Sequence, residues 1–269
     1  MVPFAGYEMP VSYAGIKQEH FAVREKAGMF DVSHMGEFLV KGPKAEALIN
    51  YATSNDASKL VPGKAQYSCF PNRTGGIVDD LIVYMKGEND YMLVVNGACL
   101  DKDWAWINEL NEDFGAELTN VSDNIALMAV QGPKASGILQ KLTDEDLSAI
   151  PFYQFRINVF AGIGDVIISN TGYTGSGGFE IYVSKENAEA VWDAIMAAGK
   201  DEGIEPTGLG CRDTLRLEMG YCLYGNDITD ETSPLEAGLG WITKLKKESD
   251  FVSKDYFIKQ KEEGITRRL

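Results

Sequence analysis

Two adjacent carboxylates, Asp79 and Asp80, lie within Gly75-Gly76-Ile77-Val78-Asp79-Asp80-Leu81-Ile82-Val83-Tyr84 and have the residue types needed for acid–base or electrostatic work. Six of the eight residues after the glycine pair are apolar, which reads as a buried strand entered from the turn Asn72-Arg73-Thr74-Gly75-Gly76. Strand side chains alternate between faces, so the two acids must point to opposite sides of a sheet. One can reach solvent. The other looks into a cavity or core, where an ionised acid is costly unless polar groups meet it. The same pattern suits a purely structural pair whose inner acid is satisfied by backbone N–H groups.

Three further stretches carry candidate chemistry. Thr171-Gly172-Tyr173-Thr174-Gly175-Ser176-Gly177-Gly178-Phe179-Glu180 holds four glycines, enough for sharp turns or close approach of backbone to a ligand. It is neither G-x-G-x-x-G nor a Walker A loop, so a nucleotide cradle is not supported. In Gly208-Leu209-Gly210-Cys211-Arg212-Asp213-Thr214-Leu215-Arg216-Leu217-Glu218, a helix would set Arg212 and Arg216 one turn apart on one face. Arginine suits forked recognition of carboxylates or planar polar rings, although pairing with Asp213 and Glu218 is the plainer reading. Asp31, Ser33 and His34 fall together but do not make a hydrolase triad. Neighbours in an extended segment face opposite ways, and no G-x-S-x-G elbow is present.

The chain that must position these groups has 269 residues, of which 45% are hydrophobic, enough for one large or two smaller domains. Its net charge of 25 − 40 = −15 argues against nucleic acid or an anionic membrane as main partner. No apolar run approaches the roughly 20 residues of a membrane span. Cys69, Cys99, Cys211 and Cys222 form no C-x-x-C pair, so neither a disulfide scaffold nor a zinc site is expected, and a reducing, cytoplasmic setting is the default. No basic leader opens the chain.

Periodicity predicts a helix near residues 15–28, strands at 37–40, 64–70, 77–84 and 91–96, and a helix whose buried stripe is Leu100, Trp104, Ile107 and Leu110. Hairpin spacing makes the middle strands antiparallel neighbours, so Tyr67, one aspartate and Asn96 can share a face. Strands follow at 125–130, 157–161 and 165–169, then a helix with Ala188, Val191, Trp192, Ile195 and Met196 inside. The phrase strand–Gly-Pro–helix occurs twice, at Val40-Lys41-Gly42-Pro43 and Val130-Gln131-Gly132-Pro133, with proline in the tolerated first turn. From Lys244 the tail is charged, and Lys244, Lys246 and Lys247 form a basic cluster that reads first as a solvated basic face and second as a docking patch for an acidic partner.

Met29-Phe30-Asp31-Val32-Ser33-His34-Met35, Gly75-Gly76-Ile77-Val78-Asp79-Asp80-Leu81, Val94-Val95-Asn96, Thr171-Gly172-Tyr173-Thr174-Gly175 and Gly208-Leu209-Gly210-Cys211-Arg212-Asp213 appear in one order across nearly the whole chain. In these segments the chain resembles the T-protein family of the glycine cleavage system, aminomethyltransferases that use tetrahydrofolate. The resemblance implies an α+β fold of two intertwined domains, mostly antiparallel sheets flanked by helices, with a folate cleft between them. The expected division is residues 1–42 with 132–243 in one domain and 43–131 in the other. Residues 244–269 would then start a linker toward a C-terminal barrel that the chain stops short of.

The resemblance also assigns roles. Asp80 matches the acid beside the reacting folate nitrogens; Tyr67, Asn96 and Tyr173 match the pterin pocket, with Tyr221 nearby; and Glu180 and Arg212 match substrate-binding residues. It implies tetrahydrofolate as co-substrate, no metal, a lipoyl-carrying H-protein as the partner the basic cluster would dock, and a cytoplasmic setting, or the mitochondrial matrix in a eukaryote. The implied product is 5,10-methylenetetrahydrofolate, with release of ammonia. A folate-dependent demethylase or oxidase-linked domain stays open. So does a non-catalytic folate-binding factor of iron–sulfur maintenance, although its Lys-Gly-Cys-Tyr-x-Gly-Gln stretch does not occur here.

Overall fold

The computed structural model describes residues 1–268. In chain order its strands are β1 (Val2–Phe4), β2 (Tyr7–Met9), β3 (Ala27–Asp31), β4 (Gly36–Lys41), β5 (Lys64–Pro71), β6 (Ile77–Gly87), β7 (Asp90–Val95), β8 (Glu117–Asn120), β9 (Ile125–Gln131), β10 (Phe155–Phe160), β11 (Ile163–Ser169), β12 (Gly178–Ser184) and β13 (Ile204–Pro206). The helices are α1 (Ile16–Glu25), α2 (Ala45–Ala52), α3 (Leu100–Asn111), α4 (Ala135–Leu139), α5 (Ala188–Gly199), α6 (Leu209–Glu218) and α7 (Lys254–Glu263). The class is α+β, as the sequence leads one to expect. No helix among the described residues is long and apolar enough to cross a membrane.

Two compact units emerge, Met1–His34 with Asp123–Tyr221, and Met35–Ser122 with the residues from Cys222 onward. These boundaries differ from the expected ones at 42/43, 131/132 and 243/244. Hydrogen bonding explains the shift. Strand β4 pairs with β7 and β8, and so belongs with the second unit; β9 pairs with β12 and β3, and so belongs with the first. Described residues after Lys244, expected to begin a linker, pack within the second unit. Phe251 and Phe257 pack with Leu235 in a small core of the second unit.

In the first unit a six-stranded sheet runs β10-β11-β12-β9-β3-β13, antiparallel except for the β13–β3 pair. Phe179, Ile181 and Val183 of β12 enter a core shared with Ile138 and Leu139 of α4 and Val191 and Ile195 of α5. By alternation Glu180 and Tyr182 stand on the opposite face. Helix α6 carries Arg212 and packs against α1.

The second unit holds a five-stranded antiparallel sheet, β5-β6-β7-β4-β8. Leu81, Val83 and Met85 of β6 share one face with Leu93 and Val95 of β7, and pack on Leu48 and Ile49 of α2 and Ile107 and Leu110 of α3. Each fully buried Ile, Leu or Phe here contributes about 1.5–3 kcal/mol. Register places Tyr67 opposite Ile82 and Cys69 opposite Asp80, so Tyr67 lies diagonally across from Asp80 on the face turned away from α3. At the entrance to β6, Gly76 admits no side chain, because a Cβ there would stand 1.6 Å from the Asp230 carbonyl oxygen.

Candidate functional site

The two acids of β6 separate as alternation requires. Asp79 is fully buried on the α3 side, and Asp80 is half-buried on the other. One residue connects them. The side-chain amide of Asn96, just past the end of β7, donates to Asp79 Oδ1 at 2.9 Å and to Asp80 Oδ1 at 3.0 Å, and the Asn96 backbone N–H donates to Asp79 Oδ2 at 3.0 Å. From the neighbouring strand, the Tyr67 hydroxyl donates to Asp80 Oδ2 at 2.7 Å. Asp80 is therefore gripped at both oxygens while part of it stays open.

These contacts set the electrostatics. Burial, aided by the negative charge of Asp79, pushes the Asp80 carboxyl up to about 7, although the bonds from Tyr67 and Asn96 pull the other way. A carboxyl at that value exchanges a proton near neutral pH, as a group handling protons in a reaction must. Burial and the Asp80 charge push the Tyr67 hydroxyl well above its ordinary value, so it stays a donor. Beyond Tyr67 the ring of Trp241 stacks at 6.0 Å with an interplanar angle of 30°, and its outer face is exposed. Trp241 was not anticipated from sequence.

A second group forms in the first unit. The Arg212 guanidinium lies 5.1 Å from the centre of the Tyr173 ring, and Tyr173 stacks on Tyr221 at 5.9 Å and 22°. Glu180 accepts from the Thr171 hydroxyl. Burial raises its carboxyl, opposed by the Thr171 bond and the Arg212 charge. The Arg212 charge also reaches His34, whose imidazole burial pushes down to about 3, so His34 is neutral. The structure thus brings Asp80, Tyr67 and Asn96 together in one unit, and Glu180, Arg212, Tyr173 and Tyr221 in the other.

Of two sequence readings, the pairing of an arginine with Asp213 holds at Arg216, and the basic cluster needs correction. Arg216, which looks equivalent to Arg212, is buried; it bonds Asp213 through Nε at 2.9 Å and the Tyr221 carbonyl at 3.0 Å. Its work is to fix the end of α6. The basic cluster also dissolves, because Lys247 is buried and its ammonium donates to the carbonyls of Asn50, Thr53 and Asn55 at 2.6, 2.8 and 2.7 Å. Lysine there closes the unsatisfied C-terminal carbonyls after α2. Only Lys244 and Lys246 of the three are exposed.

On the inner side of Asp79, sequence reasoning missed Asp103. It is fully buried, and one carboxyl oxygen each of Asp79 and Asp103 and the Cys99 Sγ lie within 4.8 Å of one another. A signal for it exists: Asp103, Ile107 and Leu110 follow i, i+4, i+7 spacing, which puts the acid in register with the buried stripe of α3.

Residues 1–247 match the family described as the GCVT N-terminal domain. Over its full length the chain is 62% identical to an aminomethyltransferase of Flavobacterium psychrophilum and covers 74% of that protein. An aminomethyltransferase of Bacteroides thetaiotaomicron is 60% identical, with the same coverage of 100% and 74%. Among solved structures, the glycine cleavage system aminomethyltransferase T from Bartonella henselae superposes with a TM-score of 0.89 at 35% identity, over 98% of this chain and 71% of that one.

Proposed function

The chain belongs to the GCVT family of glycine cleavage aminomethyltransferases, and from that premise we propose that it moves a one-carbon unit from an aminomethyl-lipoyl carrier protein to tetrahydrofolate. Ammonia is released and 5,10-methylenetetrahydrofolate is the product. The lipoyl-bearing H-protein is the partner, and the cytoplasm is the place of work. The observation that supports this most is the Asp80 carboxyl, gripped at both oxygens by Tyr67 and Asn96 and poised near 7.

The side chains present suit a flat, polar, partly aromatic ligand with an anionic tail. In the second unit Tyr67 and Trp241 offer stacking surface for a flat ring; in the first unit, taken by itself, Arg212 beside Tyr173 offers a fixed cation for a carboxylate. Tetrahydrofolate contributes the nucleophilic nitrogens that accept the one-carbon unit. As the aminomethyl group parts from sulfur, positive charge develops on its carbon and nitrogen, and the Asp80 carboxylate stabilises it. Tyr67 and Asn96 hold that carboxylate in place beforehand, so no reorganisation is needed at the moment of reaction. Two folate N–H groups each give up a proton as they bond the carbon; Asp80 accepts them in turn, one passing to the leaving sulfur as a thiol and the other to the amine, which departs as ammonia. Tyr173, Tyr221, Glu180 and Arg212 bind and orient rather than react.

Single-turnover ammonia release from the aminomethylated carrier, with and without tetrahydrofolate, tests the reading. Release accelerated by tetrahydrofolate, with methylene transfer in equal amount, is expected. Ammonia release indifferent to folate contradicts it.

A further inference from the structure

Three carboxyls stand in line through the second unit: Asp80 on the open face, Asp79 beneath it, and Asp103 behind Asp79 on α3. Asp103 is 0% exposed, and neither of its carboxyl oxygens receives a hydrogen bond from any N–H or O–H donor. As a carboxylate it would be a bare charge in the core, a state that folded proteins avoid by keeping the proton. As a neutral acid it needs one acceptor, and Asp79 is within reach. Burial raises the Asp79 carboxyl as well, but Asn96 donates to both of its oxygens and opposes that rise, which makes Asp79 the ionised member of the pair. The proton of this pair therefore sits on Asp103. Burial and the Asp79 charge hold it there, pushing the Asp103 carboxyl up to about 11.

We propose that Asp103 is a positioning residue for the reaction: its carboxylic O–H donates to Asp79, keeps Asp79 negatively charged, and through that charge holds Asp80 ready to act as the reacting base. The consequence follows from the order of the three groups. Without a donor behind it, Asp79 takes up the proton itself. Its repulsion of Asp80 then disappears, and Asp80 reverts toward an ordinary, weaker carboxylate base. The other titratable groups facing the pair are few. Cys99 lies one helical turn before Asp103 and Lys102 directly precedes it; the Cys99 thiol is pushed up by burial and by both aspartates, and so remains a neutral donor. The Lys102 ammonium opposes the rise at Asp103 and is occupied by the Tyr224 hydroxyl at 2.6 Å. Burial, Asp230 and the Asp79 charge push the Tyr224 hydroxyl upward, so it too is neutral.

The inference rests on Asp80 as the reacting carboxyl, and its test is read without turnover. In the full chain carrying carboxyl-13C aspartate, Asp80 is titrated by NMR in the wild type, Asp103→Asn and Asp103→Leu, with Asp80→Asn assigning the signal. The asparagine amide retains a donor toward Asp79, so Asp103→Asn should titrate near the wild type. Asp103→Leu has none and should lower the Asp80 midpoint by about 1 pH unit or more. Asp79→Asn removes the charge with little change of shape and should lower the midpoint likewise, which covers the case in which the leucine variant fails to fold. Equal midpoints for Asp103→Asn and Asp103→Leu, or no movement in Asp79→Asn, would overturn the proposal. The pH profile of ammonia release then serves as a separate readout: an NMR shift with an unmoved rate profile upholds the coupling and contradicts only the catalytic role of Asp80.

Discussion

Tyr67→Phe removes one oxygen and leaves the ring, its stack on Trp241 and the fold of β5 in place. What it takes away is the 2.7 Å O–H···O bond to Asp80 Oδ2. A hydrogen bond to a charged group is worth about 1.5–3 kcal/mol, and here it favours the ionised form of Asp80. At 1.36 kcal/mol per pH unit, its loss should raise the Asp80 carboxyl by about 1–2 pH units from a starting value near 7. The sign is fixed by which form the bond serves: losing a donor disfavours the carboxylate, so activity that depends on it should appear only at higher pH. The assay is the pH dependence of kcat/KM for ammonia release with saturating tetrahydrofolate. In the wild type activity should rise through about pH 7; in Tyr67→Phe the same limb should begin near pH 8–9, with the alkaline plateau largely restored. A uniform loss of rate with the limb unmoved would show that Tyr67 acts through ligand contact and not through Asp80.

Arg212→Ala should weaken tetrahydrofolate binding by about 1–3 kcal/mol in calorimetry, the range for losing a charge-assisted bond to a carboxylate. Unchanged affinity would remove Arg212 from the binding set. Lys247→Met strands the three carbonyls that the ammonium now satisfies, and should cost about 3 kcal/mol, seen as a lower urea midpoint at unchanged m. An unmoved midpoint would show that water replaces the ammonium at no cost.

Much of this is legible in the residues themselves. Alternation separates Asp79 from Asp80, and hairpin spacing brings Tyr67 and Asn96 to the acids, because period-2 geometry and short turns leave little freedom. The glycine before β6 is read from its neighbours for the same reason. What sequence conceals is burial that contradicts residue type. Lys247 lies in a run that looks like a solvated basic face, and its burial comes from carbonyls near the end of α2, almost two hundred residues earlier in the chain. Asp101, Lys102 and Asp103 look like the wet first turn of a helix, yet Asp103 shares the face of Ile107 and Leu110. Arg212 and Arg216 are one turn apart in sequence, but the path of the chain after α6 turns Arg216 inward onto the Tyr221 carbonyl. The domain boundaries shift because strand pairing between distant segments, not local composition, decides which unit β4 and β9 join.

Asp80→Asn, assayed by single-turnover ammonia release with the aminomethylated lipoyl carrier and tetrahydrofolate, tests the central claim most directly. The amide fills the same space and can still meet the Tyr67 hydroxyl, but it carries neither charge nor basicity. The rate should fall by about 10²-fold or more with folate binding retained, as expected when a preorganised charge is removed from the reacting centre. A rate within about threefold of the wild type, a difference of less than 1 kcal/mol in the barrier, would contradict a catalytic Asp80.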